Sequence, residues 1–246
     1  MKISVVTVVF NRAGTIGEAI DSVQAQTHPH VEHVIQDGGS TDRTLEIIES
    51  RNASNMALVS EPDEGIYDAI NRGIARSTGE IVGLMHSDDC FAHPEALAWV
   101  AEAFADPAID GVYGDLDYVS ATDSARIVRK WRSGEYQPQR LKRGWMPPHP
   151  TLYLRRRVFD QWGLYDTQFR IAADYDAILR YLGKGEIRLA YIPKVMVNMR
   201  LGGESNRSLD RIARKSLEDL KAIRRNEIGG LPTLVAKNLS KIRQFI

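Results

Sequence analysis

Two adjacent carboxylates, Asp88 and Asp89, close the stretch Glu80-Ile-Val-Gly-Leu-Met-His-Ser-Asp-Asp89, directly after an apolar run from Ile81 to Met85. Neighbouring acids repel, so a pair at the end of a strand points to a positive partner bound there. A divalent cation held by carboxylate oxygen, itself holding a diphosphate, meets that need. The plainer alternative is a cap on the helix that begins near Pro94, for which one Asp suffices. A second polar cluster, Asp37-Gly-Gly-Ser-Thr-Asp42, combines two glycines for close backbone approach with residues that cap a following helix. Asp37 there reads equally well as an Asx-turn residue. Asn71 stands in mid-helix, where its propensity is poor and a specific role is the better account. Thr7 inside a β-branched strand is by itself ordinary strand filling.

The elements that must position these residues alternate along the chain. Strands are expected at 2–9, 31–36, 57–60 and 81–85, and helices at 15–26, 42–51 and 66–77. Such alternation predicts a mostly parallel central sheet with right-handed crossovers and flanking helices. Open α/β sheets bind ligands at the carboxyl edge of their strands, so the clusters at 10–12, 37–42 and 86–89 make one site. No Gly-x-Gly-x-x-Gly follows the first strand and no Gly-x-x-x-x-Gly-Lys-Ser/Thr occurs, which disfavours a dinucleotide enzyme or a P-loop ATPase. After a helix at 94–105 the pattern changes. Antiparallel strands are expected at 111–119 and 126–131, helices at 155–162 and 174–182, short strands at 187–191 and 194–200, and helices at 207–226 and 232–244. Pro147-Pro-His-Pro150 forces an irregular loop.

Composition narrows the class. The 246 residues carry 32 Lys+Arg against 32 Asp+Glu, which gives no overall pull toward nucleic acid. Cys90 is the single cysteine, so no internal disulfide forms and a reducing, cytoplasmic compartment is expected. The chain runs straight into a strand with no long apolar stretch, and neither a signal peptide nor a membrane span is expected. Charge is uneven, with seven basic residues against one acid in 126–143 and ten against four in 207–246. In the last helix Leu231, Leu234, Val235, Ile242 and Phe245 recur at helical spacing beside Lys237 and Lys241. That pattern suits a helix lying on the inner face of the plasma membrane, or one packed onto the domain or a second subunit.

In this order, the motifs resemble inverting glycosyltransferases of family 2, of the bacterial surface-polysaccharide type, over roughly residues 2–205. The resemblance rests on Ser4-Val-Val-Thr-Val-Val-Phe-Asn-Arg12, Gln36-Asp-Gly-Gly-Ser-Thr-Asp42, Glu64-Gly-Ile-Tyr-Asp-Ala-Ile-Asn-Arg-Gly73, Ser87-Asp-Asp89 and Ala173-Asp174. It implies a GT-A fold over residues 1–205 with a C-terminal helical extension over 206–246. It implies donor-binding roles for Thr7, Phe10, Asn11, Arg12, Asp37, Asn71 and Asp88, a metal-ligating role for Asp89, and a catalytic base at Asp174. Gln36, Ser87 and Ala173 stand where the family carries acids. The alternative is that Asp174 caps its helix, leaving Asp176 or Asp166 as the base, and His149 is an alternative metal ligand from its Pro-rich loop. The function so implied is Mn²⁺- or Mg²⁺-dependent transfer of a sugar from a UDP, GDP or dTDP donor to a glycan acceptor, lipid-linked, in polysaccharide biosynthesis. The rivals are a sugar-nucleotide nucleotidyltransferase, for which only Asn11-Arg-Ala-Gly14 resembles the required loop, and a non-catalytic nucleotide- or glycan-binding module.

Overall fold

The computed structural model describes residues 1–201 and 209–242. β1 (Ile3–Val9) is buried at every position, as a β-branched run in the middle of a parallel sheet must be. It lies between β2 (Val31–Asp37) and β4 (Ile81–Leu84), parallel to both, and β3 (Met56–Ser60) pairs in parallel with β2. The registers Val9↔Asp37 and Val6↔Leu84 bring all these carboxyl ends to one edge. The crossovers are α1 (Ile16–Gln24), α2 (Thr44–Glu49) and α3 (Ile66–Arg76). Helix α3 sits so close to β1 that any Cβ on Gly73 would overlap the Val6 side chain. That close approach brings the start of α3 to the same edge.

The second half is mixed. It comprises β5 (Cys90–Phe91), α4 (Ala96–Ala103), β6 (Gly111–Val119), β7 (Ile127–Trp131), β8 (Tyr153–Arg155), α5 (Arg156–Trp162), α6 (Ala173–Leu179), β9 (Leu189–Arg200), α7 (Leu209–Arg225) and α8 (Leu231–Ile242). Among the described residues the strands form one nine-stranded sheet in the order β3-β2-β1-β4-β8-β6-β9-β5, with β7 paired to β6. The short β8, antiparallel to both β4 and β6, joins the parallel half to the rest. The expected fold class, a mostly parallel central sheet with flanking helices, is the one observed.

Several local expectations change. The two strands expected at 187–191 and 194–200 are a single strand, β9. Pro193 is accommodated inside it where the pairing with β6 slips at Gly114, Asp115 and Leu116. β5 and β8, of two and three residues, are too short for alternation to reveal. α6 ends at Leu179 and continues as a π turn over Arg180–Lys184. The Pro-rich region carries 3₁₀ turns at Pro138–Arg143 and His149–Thr151.

The last two helices pack on the domain. Ala222 and Ile223 of α7 share a core cluster with Tyr175, Ile178 and Leu179 of α6. The apolar stripe expected along α8 is divided. Leu234 packs against that cluster, whereas Leu231, Val235 and also Leu239 are exposed. Lys237, expected beside the stripe, is 2% exposed and turned into the domain toward Asp219. Spacing placed the lysine on the wrong face because an ionic partner 18 residues upstream is invisible to it. The side chains of Lys241 and Ile242, and residue Phe245, lie outside the described residues.

Candidate active site

A cleft of about 510 Å³ opens at the carboxyl edge of the sheet. Phe10, Asn11 and Arg12 line it from the end of β1, His86 to Asp89 from the end of β4, and Asp63, Gly65 and Ile66 from the approach to α3. Phe10 is 56% exposed, a large aromatic ring left open at the rim. Asn11 adopts φ 50°, a left-handed conformation that Asn tolerates. Its side-chain oxygen accepts the Thr41 N–H at 2.8 Å, while its own N–H donates to Ser40 Oγ at 2.8 Å. Asn11 thereby ties the ends of β1 and β2 together, and the three polar clusters meet at one edge as expected.

Asp88 and Asp89 have different surroundings. Asp89 is 2% exposed; its Oδ1 accepts the Arg200 N–H at 3.0 Å, and its Oδ2 is buried without a partner. Burial, then the neighbouring Asp88 charge, push its carboxyl well above the usual carboxylate range. Asp88 is half-buried in the cleft wall. An orphaned carboxylate oxygen beside a second acid is the donor set of a hard divalent cation, so the residues fit Mg²⁺ or Mn²⁺. No cluster of three or more His, Cys, Asp or Glu side chains suited to a metal occurs among the described residues. Phosphate oxygens and water would therefore complete the coordination.

Three expected donor contacts are occupied elsewhere. Thr7 is fully buried, with its hydroxyl 2.9 Å from His33 Nε2. Asn71 spends its amide on the backbone of Tyr165, donating at 2.8 Å and accepting at 3.0 Å. Asp37 is fully buried; its Oδ2 accepts from the N–H groups of Gly39 (3.0 Å) and Ser40 (2.9 Å) and from Ser60 Oγ (2.7 Å), and Oδ1 accepts from Ser40 Oγ. It organises the loop rather than facing the cleft. The carboxylate that does line the cleft here is Asp63. A Cβ on Gly38 would overlap Asp63 Oδ2, so the glycine makes room for that acid. Asp63 lies just before the matched helix motif, in a run of acids and Pro that sequence reading took as a connection.

Of the three candidate bases, two are held in ion pairs. Asp166 pairs with Arg225. Asp176 is fully buried between Arg180 Nη1 at 3.0 Å and Asn226 Nδ2 at 2.9 Å. Asp174, half-buried at the start of α6, has its Oδ1 3.2 Å from the Tyr67 hydroxyl, which is also 2.8 Å from the Ile171 carbonyl. His149, the alternative ligand, has its Nε2 2.9 Å from the Tyr165 hydroxyl, and burial drives its pKa down to about 4. Its ring centre is 5.9 Å from that of His86, which lines the cleft and feels the charges of both Asp88 and Asp174. His86, Tyr67 and Tyr165 thus connect the carboxylate pair to Asp174. Sequence reading passed over all three, although His86 stands two residues from Asp88.

A second cavity, of about 480 Å³, adjoins the first through Gly65 and Ile66 and is lined by Tyr67, Thr167, Phe169 and Arg170.

Comparison with known proteins gives a consistent result. The family model described as Glycosyl transferase family 2 matches residues 4–163, stopping short of Asp174. Two Mycobacterium tuberculosis glycosyltransferases described as uncharacterized are 31% identical over 186 residues, 72% of this chain and 68% of theirs. PGL/p-HBAD biosynthesis glycosyltransferases of Mycobacterium bovis and M. tuberculosis are 30% identical over 213 residues, 85% of this chain and 80% of theirs. Among solved structures, Staphylococcus aureus TarS 1–349 in complex with UDP-GlcNAc superposes with a TM-score of 0.69 at 22% identity, covering 91% of this chain and 66% of that one. The chain spans 43% of a longer TarS structure. The Pyrobaculum calidifontis mannosyltransferase PcManGT, in complex with GDP-Man and Mn²⁺, matches with a TM-score of 0.69 at 19% identity, covering 96% of this chain and 68% of that one. At these identities the structural matches speak to the fold.

Proposed function

The chain belongs to glycosyl transferase family 2, and from that premise we propose that it transfers a sugar, with inversion, from a nucleoside diphosphate donor to an acceptor hydroxyl. The observation that carries the reading is the placement of two separate acidic sites on one sheet edge. Asp89 has an orphaned buried oxygen beside Asp88, and His86, two residues before Asp88, feels the charges of both Asp88 and Asp174.

Asp89 would hold Mn²⁺ or Mg²⁺ directly, with Asp88 meeting the ribose or the cation through water. The bound cation would supply Lewis-acid neutralisation of the diphosphate leaving group. Phe10 at the rim offers a ring for the base to stack on, and Asn11 and Arg12 line the wall beside it. Asp63 takes the place in base recognition that the motif suggested for Asp37: its carboxylate in the cleft wall would accept from a ring N–H. UDP-, GDP- and dTDP-sugars all carry such a group. Asp174 takes the proton from the acceptor hydroxyl as its oxygen attacks the anomeric carbon from the face opposite the diphosphate. One displacement with one base inverts the configuration. The cavity lined in part by Tyr67 would admit the acceptor, because the Tyr67 hydroxyl donates to Asp174.

We place the catalytic domain at residues 1–205 and a helical extension at 206–246. No helix among the described residues is long and apolar enough to cross a membrane. The acceptor would be a lipid-linked glycan in surface-polysaccharide assembly, presented at a bilayer. Leu231, Val235 and Leu239 form an exposed apolar face on α8, and α8 packs against the 3₁₀ turn that carries exposed Lys142 and Arg143. An apolar face bordered by cations suits an anionic lipid surface.

The test is release of nucleoside diphosphate from UDP-GlcNAc or GDP-Man with Mn²⁺. EDTA and Asp89→Ala should each abolish it without loss of fold. Asp174→Asn should lower kcat by about 10²- to 10⁴-fold while donor affinity is kept. Full activity in Asp89→Ala, or in EDTA, overturns the metal assignment. Unimpaired turnover in Asp174→Asn overturns the base.

A further inference from the structure

Lys237 Nζ lies 2.7 Å from Asp219 Oδ1, an ion pair not aligned as a hydrogen bond, and 3.1 Å from the centre of the Tyr175 ring. Lys215, one turn before Asp219 on α7, approaches the other carboxylate oxygen at 3.7 Å. Lys237 is 2% exposed and Asp219 1%. The position of Lys237 is enforced by the chain beside it. Gly144 (φ +75°), which closes the 3₁₀ turn Pro138–Arg143, lies so close to the Lys237 backbone that any Cβ would overlap it. Burying an ion pair contributes little stability compared with apolar packing of the same volume. A lysine clamped here is therefore better explained by its field than by its contribution to folding. Tyr175, on which it rests, is the chain neighbour of Asp174.

We propose that Lys215, Asp219 and Lys237, three charges summing to +1, are positioning residues that hold the start of α6 and supply the counter-charge for the Asp174 carboxylate. The proposal rests on the reading of Asp174 as the base. It makes the two C-terminal helices a working part of the site.

The groups that face Asp174 leave this triad as its cationic support. From α3 comes the Tyr67 hydroxyl, and from the loop before α6 the Tyr165 hydroxyl, which His149 engages. His86 and His149 approach from the end of β4 and from the 149–151 turn. Asp88 lies beyond His86. Glu218 of α7 is committed to the N–H groups of Arg170 (3.2 Å), Ile171 (2.8 Å) and Ala172 (3.0 Å). On α6 itself, Asp176 is neutralised by Arg180. Burial pushes the Asp174 carboxyl up, but His149, Lys215 and Lys237 together hold it below the usual carboxylate value. His149 is driven to about 4 by its own burial and is neutral at pH 7. The lysines are then the cations that remain.

The experiment is ¹³C NMR titration of the Asp174 side-chain carboxyl in the full chain, assigned by its loss in Asp174→Asn. In Lys215→Met or Lys237→Met the triad falls to zero net charge, and the midpoint should rise by about one pH unit, a tenfold change in ionisation. In the double variant Asp219→Asn/Lys237→Met, Lys215 alone restores +1, and the midpoint should return to within about 0.3 unit of wild type. A brace with no electrostatic role would leave the midpoint unmoved in the single variants, or move it equally in single and double variants; either result overturns the proposal. Should Lys237→Met fail to fold, the partly exposed Lys215→Met decides alone. Nucleoside diphosphate release by Asp174→Asn is read separately: undiminished release rejects the base and leaves the titration result standing as a measure of the triad.

Discussion

At the end of β4 one peptide unit separates a carboxylate that faces the cleft from one that is nearly sealed, and similar contrasts run through the site. Asp37 and Asp63 differ in the same way. The first accepts from three donors in its own loop and from Ser60 Oγ at the end of β3, and the second lines the cleft. The difference has a measurable consequence. Asp63→Asn should weaken nucleoside diphosphate binding by about tenfold or more, the cost of a hydrogen bond to a charged acceptor, with unfolding little changed. Asp37→Asn should instead destabilise the fold by about 1–3 kcal/mol, because a donor amide now faces donors. Nucleotide titration and urea unfolding of both variants check this; the opposite assignment of effects would return base recognition to Asp37. The same reasoning separates Asp174 from Asp166 and Asp176, which are chemically identical but already paired.

At the scale of elements, β2 carries a buried group with a pH signature. His33 is 1% exposed, contacts Thr7 on β1, and is held by burial at a pKa of about 4. In the unfolded chain a histidine titrates near 6.5. Between these values the unfolded chain takes up a proton that the folded chain refuses. The contribution of His33 is therefore complete above pH 6.5 and is lost as pH falls toward 4, at about 1.4 kcal/mol per pH unit. His33→Gln, which keeps a donor for Thr7, should flatten the fall in unfolding free energy between pH 6.5 and 4.5 by about that slope. Identical slopes in wild type and variant would mean that His33 takes up its proton in the folded protein.

For the whole molecule, the proposed presentation of the acceptor at a bilayer is tested on the outward face of α8. Because Lys237 is turned inward, the exposed surface there is Leu231, Val235 and Leu239, with cations contributed from the neighbouring 3₁₀ turn. Flotation with vesicles containing phosphatidylglycerol should show binding that weakens with salt. Leu231→Glu/Val235→Glu should abolish it without affecting turnover of a soluble donor. If vesicles are ignored and the same substitutions convert a dimer to a monomer, the face is a contact between two copies of the chain.

The sequence by itself determined the alternation of strands and helices, the shared edge of the three polar clusters, and the carboxylate pair at the end of β4. These follow from local patterns, because apolar period and turn chemistry act over a few residues. Only the tertiary structure decided which polar residues remained available. Thr7, Asp37 and Asn71 found partners 26, 3 and 94 residues away and were withdrawn from the cleft. Asp63 and His86 were brought to the cleft, Tyr67 to Asp174, and Lys237 was drawn into the interior by Asp219. A buried polar group must be satisfied by whatever the fold brings near it, and that partner has no fixed separation in sequence.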